Sequence, residues 1–134
     1  MTIDTNKQLV RGAFEAMGRS DIRPLYDLMR DDFAWIIEGR SRFSRSYEGK
    51  EAVKRDLLAP LFEAFATPYR FTIDEIIGEG ETVVVRGRGE VRMKSGQDYN
   101  NSYCFVLRLE HGQLVELREY LDTALVERVF GATG

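Results

Sequence analysis

Glu119 is the side chain in this sequence whose neighbours could turn it into a proton-transfer group. In Gln113–Leu121 the residues alternate between two faces, and Leu117, Glu119 and Leu121 share one of them. Leucines on either side draw that face inward. A carboxylate among apolar neighbours is costly unless it is paired or protonated, and burial raises its pKa toward the range useful for acid–base catalysis. Three other strand residues are expected around it. Arg88 would orient Glu119 or stabilise developing negative charge, while Tyr103 and Asn101 would donate hydrogen bonds to a substrate oxygen. Trp35 and Phe105 would supply apolar walls. The alternative for Glu119 is an ion pair or a solvated place at a strand end.

Other chemistries have little to work with. The one histidine, His111, lies at a hairpin tip, which argues against a histidine-based metal site or a Ser-His-Asp triad. The one cysteine, Cys104, falls on the face opposite Tyr103 and is no candidate nucleophile; a chain with one cysteine has no internal disulfide and suits a reducing cytosol. The Gly78-Glu79-Gly80 and Gly87-Arg88-Gly89 segments lack the following helix and lysine that phosphate cradling needs. No cofactor and no metal are expected. The 134 residues carry a net charge of −3, which gives no support for nucleic-acid binding. No apolar run has the length of a membrane span and no leader peptide is read at the start, so a cytoplasmic location is expected.

The elements that must hold these residues divide the chain in two. Apolar residues recur at helical spacing over Lys7–Met17, with Thr5 or Asn6 as the cap, and a short helix follows a cap at Ser20 or Asp21. Phe33–Ile37 reads as a strand, and Gly39–Gly49 as an arginine-bearing loop with a turn or short strand, anchored by Phe43 and Tyr47. Lys50–Ala66 reads as a third helix that Pro60 can kink. Four strands follow, over Tyr69–Ile77, Glu81–Met93, Asp98–Leu109 and Gln113–Leu121, with a helix over Thr123–Phe130 between Asp122 as N-cap and Gly131. The 134 residues make one α+β domain: a curved antiparallel sheet wrapped around the N-terminal helices, leaving a pocket. Gly87 and Gly89 are expected to bend their strand. The opposite sheet face, expected to carry Val83, Val85, Val91, Cys104 and Val106, would join two copies as a homodimer.

Three segments carry a resemblance: Asp31-Asp32-Phe33, Tyr47–Val53 leading into the third helix, and Gly112–Asp122. With them the whole chain resembles the nuclear transport factor 2-like superfamily, which includes ketosteroid isomerase, limonene-epoxide hydrolase and the SnoaL-like polyketide cyclases. The resemblance implies a cone-shaped α+β barrel. The ending Glu119-Tyr120-Leu121-Asp122-Thr123 looks most like the ketosteroid-isomerase-related proteins of the group. Ketosteroid isomerase's own catalytic set does not carry over, because Ala13 or Phe14, Ile37 and Phe105 stand near its tyrosine, base and acidic donor. Matched to limonene-epoxide hydrolase, Glu119 takes an acid position and Arg86 the arginine, Arg88 and Trp35 replace an aspartate and a tyrosine, and a one-residue shift brings in Glu90. Arg86 and Glu90 thus join Trp35, Asn101 and Phe105 as expected substrate contacts, beside Glu119, Arg88 and Tyr103 as the catalytic set. The expected function is cofactor-independent isomerisation, cyclisation or hydration of an apolar carbonyl or epoxide compound. A ligand-binding or dimerisation module without turnover is the alternative.

Overall fold

The Thr2 hydroxyl accepts the backbone N–H of Thr5 at 3.1 Å, which satisfies a donor left open at a helix start. Helix α1 (Ile3–Met17) therefore begins four residues before the expected Lys7 and buries Val10, Ala13, Phe14 and Met17 along one stripe. The computed structural model describes residues 2–131. After α1 the chain turns at Ser20, a non-glycine residue at φ 66°, and enters α2 (Arg23–Leu28).

Strands β1 (Met29–Ile37), β2 (Ser46–Glu48), β3 (Arg70–Glu79), β4 (Thr82–Glu90), β5 (Asn101–Glu110) and β6 (Gln113–Leu121) form one sheet in the order β2-β1-β6-β5-β4-β3. The run from β3 to β6 is the antiparallel meander that the turns imply. At the β5–β6 hairpin, His111 and Gly112 sit at φ 51° and 76°, the left-handed pair of a tight two-residue turn. The sheet is nevertheless mixed, since β1 runs parallel to β6. Hairpin signals fix only strands adjacent in sequence, and β1 meets β6 after most of the chain has intervened.

The expected helix over 50–66 is broken. It starts as α3 (Lys50–Ala52), widens into a π-helical turn (Val53–Leu58) and ends as α4 (Ala59–Glu63). In the widened turn the Ala59 N–H bonds to Lys54 O, five residues back, and Pro60 has no N–H to offer. Leu57 and Leu58 from this turn are buried against the sheet. The last helix, α5 (Thr123–Phe130), has the expected bounds, with Asp122 accepting the Leu125 N–H at 3.2 Å. Among the described residues no helix is long and apolar enough to cross a membrane.

The core lies between the helices and the inner sheet face. Strand register lines up its rows: Val85, Phe105, Glu119 and Ile37 run across β4, β5, β6 and β1, beside a row of Val83, Leu107, Leu117 and Trp35. Phe14 from α1 reaches down to Phe105 and Phe71, with ring centroids 5.2 and 5.3 Å apart.

Candidate active site

Glu119 sits in an otherwise apolar row because strand alternation leaves it no other face. Its residue is 7% exposed. The Trp35 indole Nε1–H donates to Glu119 Oε1 at 2.9 Å, and Oε2 accepts no hydrogen bond among the described residues. Burial pushes the carboxyl pKa up to about 7, against a smaller downward pull from the Trp35 bond. The group can therefore hold or release a proton near neutral pH.

This carboxyl opens on a cavity under the helices. Phe14, Leu57, Leu58, Tyr99, Tyr103 and Phe105 are among its walls, and among the described residues no lysine, arginine or histidine lines it. The space open to the centres of water molecules is about 60 Å³, enough for several. Three tyrosines give the wall its other polar atoms. The hydroxyls of Tyr99 and Tyr103 are 3.4 Å apart, and Tyr69 completes the group. Burial raises the pKa of each, and the nearby Glu119 charge adds a smaller push in the same direction. All three hydroxyls thus keep their protons and can donate hydrogen bonds.

The structure brings Glu119, Trp35, Tyr103 and Phe105 to this cavity. Asn101 points inward but is fully engaged elsewhere. Its Nδ2 donates to Tyr99 Oη at 3.1 Å and to Asp122 O at 3.2 Å, while its Oδ1 accepts the N–H groups of Ser102 and Asp122. It holds Tyr99 and the end of β6 in place and does not line the cavity.

Arg88, Arg86 and Glu90 are the corrections. All three lie on the outer sheet face, where Arg88 pairs with Asp74 at 3.0 Å and Arg86 with Glu75 at 3.3 Å, and Glu90 is exposed. The odd-numbered residues of β4 face inward, so Val83 and Val85 are core, and Val91, just past the strand, is buried beside Met93 and Tyr99; all three leave the outer face that was expected to join two copies. Cys104 and Val106 do face outward and are half-buried. Gly87 and Gly89 also point inward, and their missing side chains make room for aromatic rings. A Cβ at Gly89 would overlap the Tyr69 hydroxyl, and one at Gly87 would overlap the Phe71 ring and the Thr72 carbonyl. The arginine partner expected for Glu119 is thereby absent, which is why burial governs its pKa.

The helical wall and Tyr69 escaped the sequence reading. Tyr69 precedes β3 and enters the cavity only because Gly89 leaves space. The alternation of the strand expected over Asp98–Leu109 already placed Tyr99 on the face of Tyr103, a signal that could have been used, although β5 itself begins only at Asn101.

Comparison with known proteins places this geometry in a wider group. The chain has a TM-score of 0.82 and 26% identity to an NTF2-like protein of unknown function from Burkholderia pseudomallei, covering 98% of this chain and 100% of that one. An NTF2-like protein from Burkholderia xenovorans gives 0.73 and 27%, covering 100% and 99%. TerC, solved after co-crystallisation with polyporic acid, gives 0.79 at 19% identity, covering 96% and 99%, a likeness of fold. No curated protein matches the chain. The SnoaL-like domain matches residues 10–117, a span that takes in Trp35, Tyr69, Tyr99, Tyr103 and Phe105 and stops two residues short of Glu119. By that match over most of its length, the chain belongs to the SnoaL-like domain family.

Proposed function

We propose that the protein is a cofactor-independent enzyme that moves a proton on an uncharged carbonyl compound, with Glu119 as the acid–base group. The observation that carries this reading is the buried Glu119 carboxyl, with a pKa near 7, one indole donor and no cation beside it. In its ionised form Glu119 takes a proton from the carbon next to the carbonyl. Electron density then moves onto the carbonyl oxygen, which Tyr103, with Tyr99 and Tyr69 beside it, meets with O–H donors. Where a C=C bond adjoins that carbon, return of the proton to its far end gives isomerisation; where the enolate carbon attacks a second carbonyl of the same molecule, the ring closes and the resulting alkoxide takes the proton back from Glu119. Trp35 holds Oε1 and leaves Oε2 for the substrate, and Phe105 supports its flat face.

Acetophenone in D2O is a direct probe, because deuterium exchange at its methyl group reports proton abstraction by NMR. Wild type is expected to accelerate exchange, and Glu119→Gln to lose about 10²–10⁴ of that acceleration, the usual worth of a positioned acid or base. Equal exchange by the two proteins rejects the role of Glu119. Binding of the ketone to wild type without any exchange favours a non-catalytic binding module. We place the homodimer contact on the outer stripe that includes Cys104, Val106 and Tyr120, the last 47% exposed. A monomer by light scattering at working concentration rejects it.

A further inference from the structure

A second hollow adjoins the cavity. Met17, Ile22, Phe62, Phe65 and Tyr69 line both spaces, and Ser20, Thr67 and Pro68 complete the outer one. On the same measure the outer space is larger, about 230 Å³ against about 60 Å³. Among the described residues its walls carry three hydroxyl side chains, Ser20, Thr67 and Tyr69, and no charged side chain. Between the two lies an aromatic constriction: the rings of Phe65 and Tyr69 stack at 5.6 Å and 12°, and Phe62 meets Phe65 edge-on at 5.5 Å.

The constriction is anchored at both ends. The Tyr69 hydroxyl lies deep over Gly89, while its backbone carbonyl accepts the Ser20 hydroxyl at 2.7 Å. Ser20 holds its left-handed backbone at φ 66° where it makes this bond, a conformation that few non-glycine residues adopt. The Ala66 and Thr67 N–H groups tie the segment after α4 to Arg92 O. Phe65 immediately precedes these ties and packs against the rings of both Phe62 and Tyr69.

We infer that the outer hollow is a second ligand subsite, which takes the uncharged, elongated apolar tail of a molecule whose flat head occupies the inner cavity, with Phe65 setting the width of the passage. The inference rests on the reading of the inner cavity as the ligand chamber. Size supports it: the inner space, about 60 Å³, is well short of the few hundred Å³ of an ordinary small-molecule pocket, and the outer hollow adds about 230 Å³. Charge supports it too, because neither space offers a cation or anion to an ionic tail, apart from Glu119 at the inner end.

The test uses the full chain and a series of para-alkyl acetophenones, with affinity measured by calorimetry. Each added methylene is expected to tighten binding about fourfold until the hollow is filled, the worth of burying one such group. Phe65→Trp, which narrows the passage, should abolish the gain per methylene, so that long-tailed ketones bind that variant no better than acetophenone binds the same variant. Phe65→Leu, which widens it, should keep or improve the long-tailed ligands. Circular dichroism on both variants establishes that they fold. If acetophenone binds but tail length makes no difference, the second subsite is wrong and the inner chamber stands. If both Phe65 variants weaken every ligand alike, Phe65 is only structural and the passage is wrong. If no member of the series binds wild type, the inner chamber falls and the subsite with it.

Discussion

Replacing Glu119 by glutamine should stabilise the protein at alkaline pH and not at acid pH. The side chain keeps its shape, and its Oε1 can still accept the Trp35 N–H. The carboxyl has a folded pKa of about 7 against an ordinary 4.5. Below both values the group is protonated whether folded or not and contributes nothing. Between them the unfolded chain has released the proton and the folded chain keeps it, so stability falls as pH rises, by about 1.4 kcal/mol per pH unit. Above pH 7 both states are ionised and the loss levels off at roughly 3 kcal/mol. Glutamine has no such loss. Asp21, Asp32, Asp56 and Asp74 have lowered pKa values because arginines hydrogen-bond to them, so their linkage acts below the ordinary carboxylate range and cancels between the two proteins. Urea unfolding at pH 5 and pH 8 measures the difference. The stability gap in favour of Glu119→Gln should widen by about 2–3 kcal/mol between the two pH values. A gap that stays constant, or widens toward acid pH, refutes the claim that burial governs this carboxyl.

Three further outcomes follow from the same geometry. Trp35→Phe removes the donor that partly offsets burial, so the Glu119 pKa should rise above its wild-type value, read as an alkaline shift in the pH–stability midpoint; an acid shift is the contrary result. Gly89→Ala forces a methyl group onto the Tyr69 hydroxyl and should cost about 1–3 kcal/mol in urea unfolding, as overpacking does; a neutral effect would mean that Tyr69 does not fill that space. Arg88→Ala removes an exposed partner of Asp74 and should leave the Glu119 midpoint where it is, whereas movement of that midpoint would put Arg88 back beside the cavity.

The last two elements could be read closely from sequence because their signals are local. Asp122 and Gly131 bracket α5, and leucines on both sides of Glu119 fix its face. The broken helix was half visible in Pro60, but widening to a π turn depends on packing Leu57 and Leu58 against the sheet. The inner face of β4 was not legible for two reasons. Val83, Val84 and Val85 run without alternation, and Gly87 and Gly89 carry no side chain to mark a face. What identifies those glycines as inward is the pair of rings, Tyr69 and Phe71, that lie over them from another strand region. The parallel pairing of β1 with β6 is likewise a long-range fact that no hairpin records.

The chain contains one tryptophan, and its indole N–H rests on the carboxyl that is expected to do the chemistry. The protein therefore carries its own optical gauge. Ultraviolet emission from an indole responds to a neighbouring charge, and with excitation at wavelengths that the six tyrosines do not absorb, the whole signal comes from this one place. A titration of intrinsic fluorescence should report the protonation state of Glu119 without any label, and quenching or a colour shift on adding a ketone should report arrival in the chamber. Filling the outer hollow alone should leave that emission nearly untouched, so one cuvette experiment can tell which of the two rooms a ligand has entered.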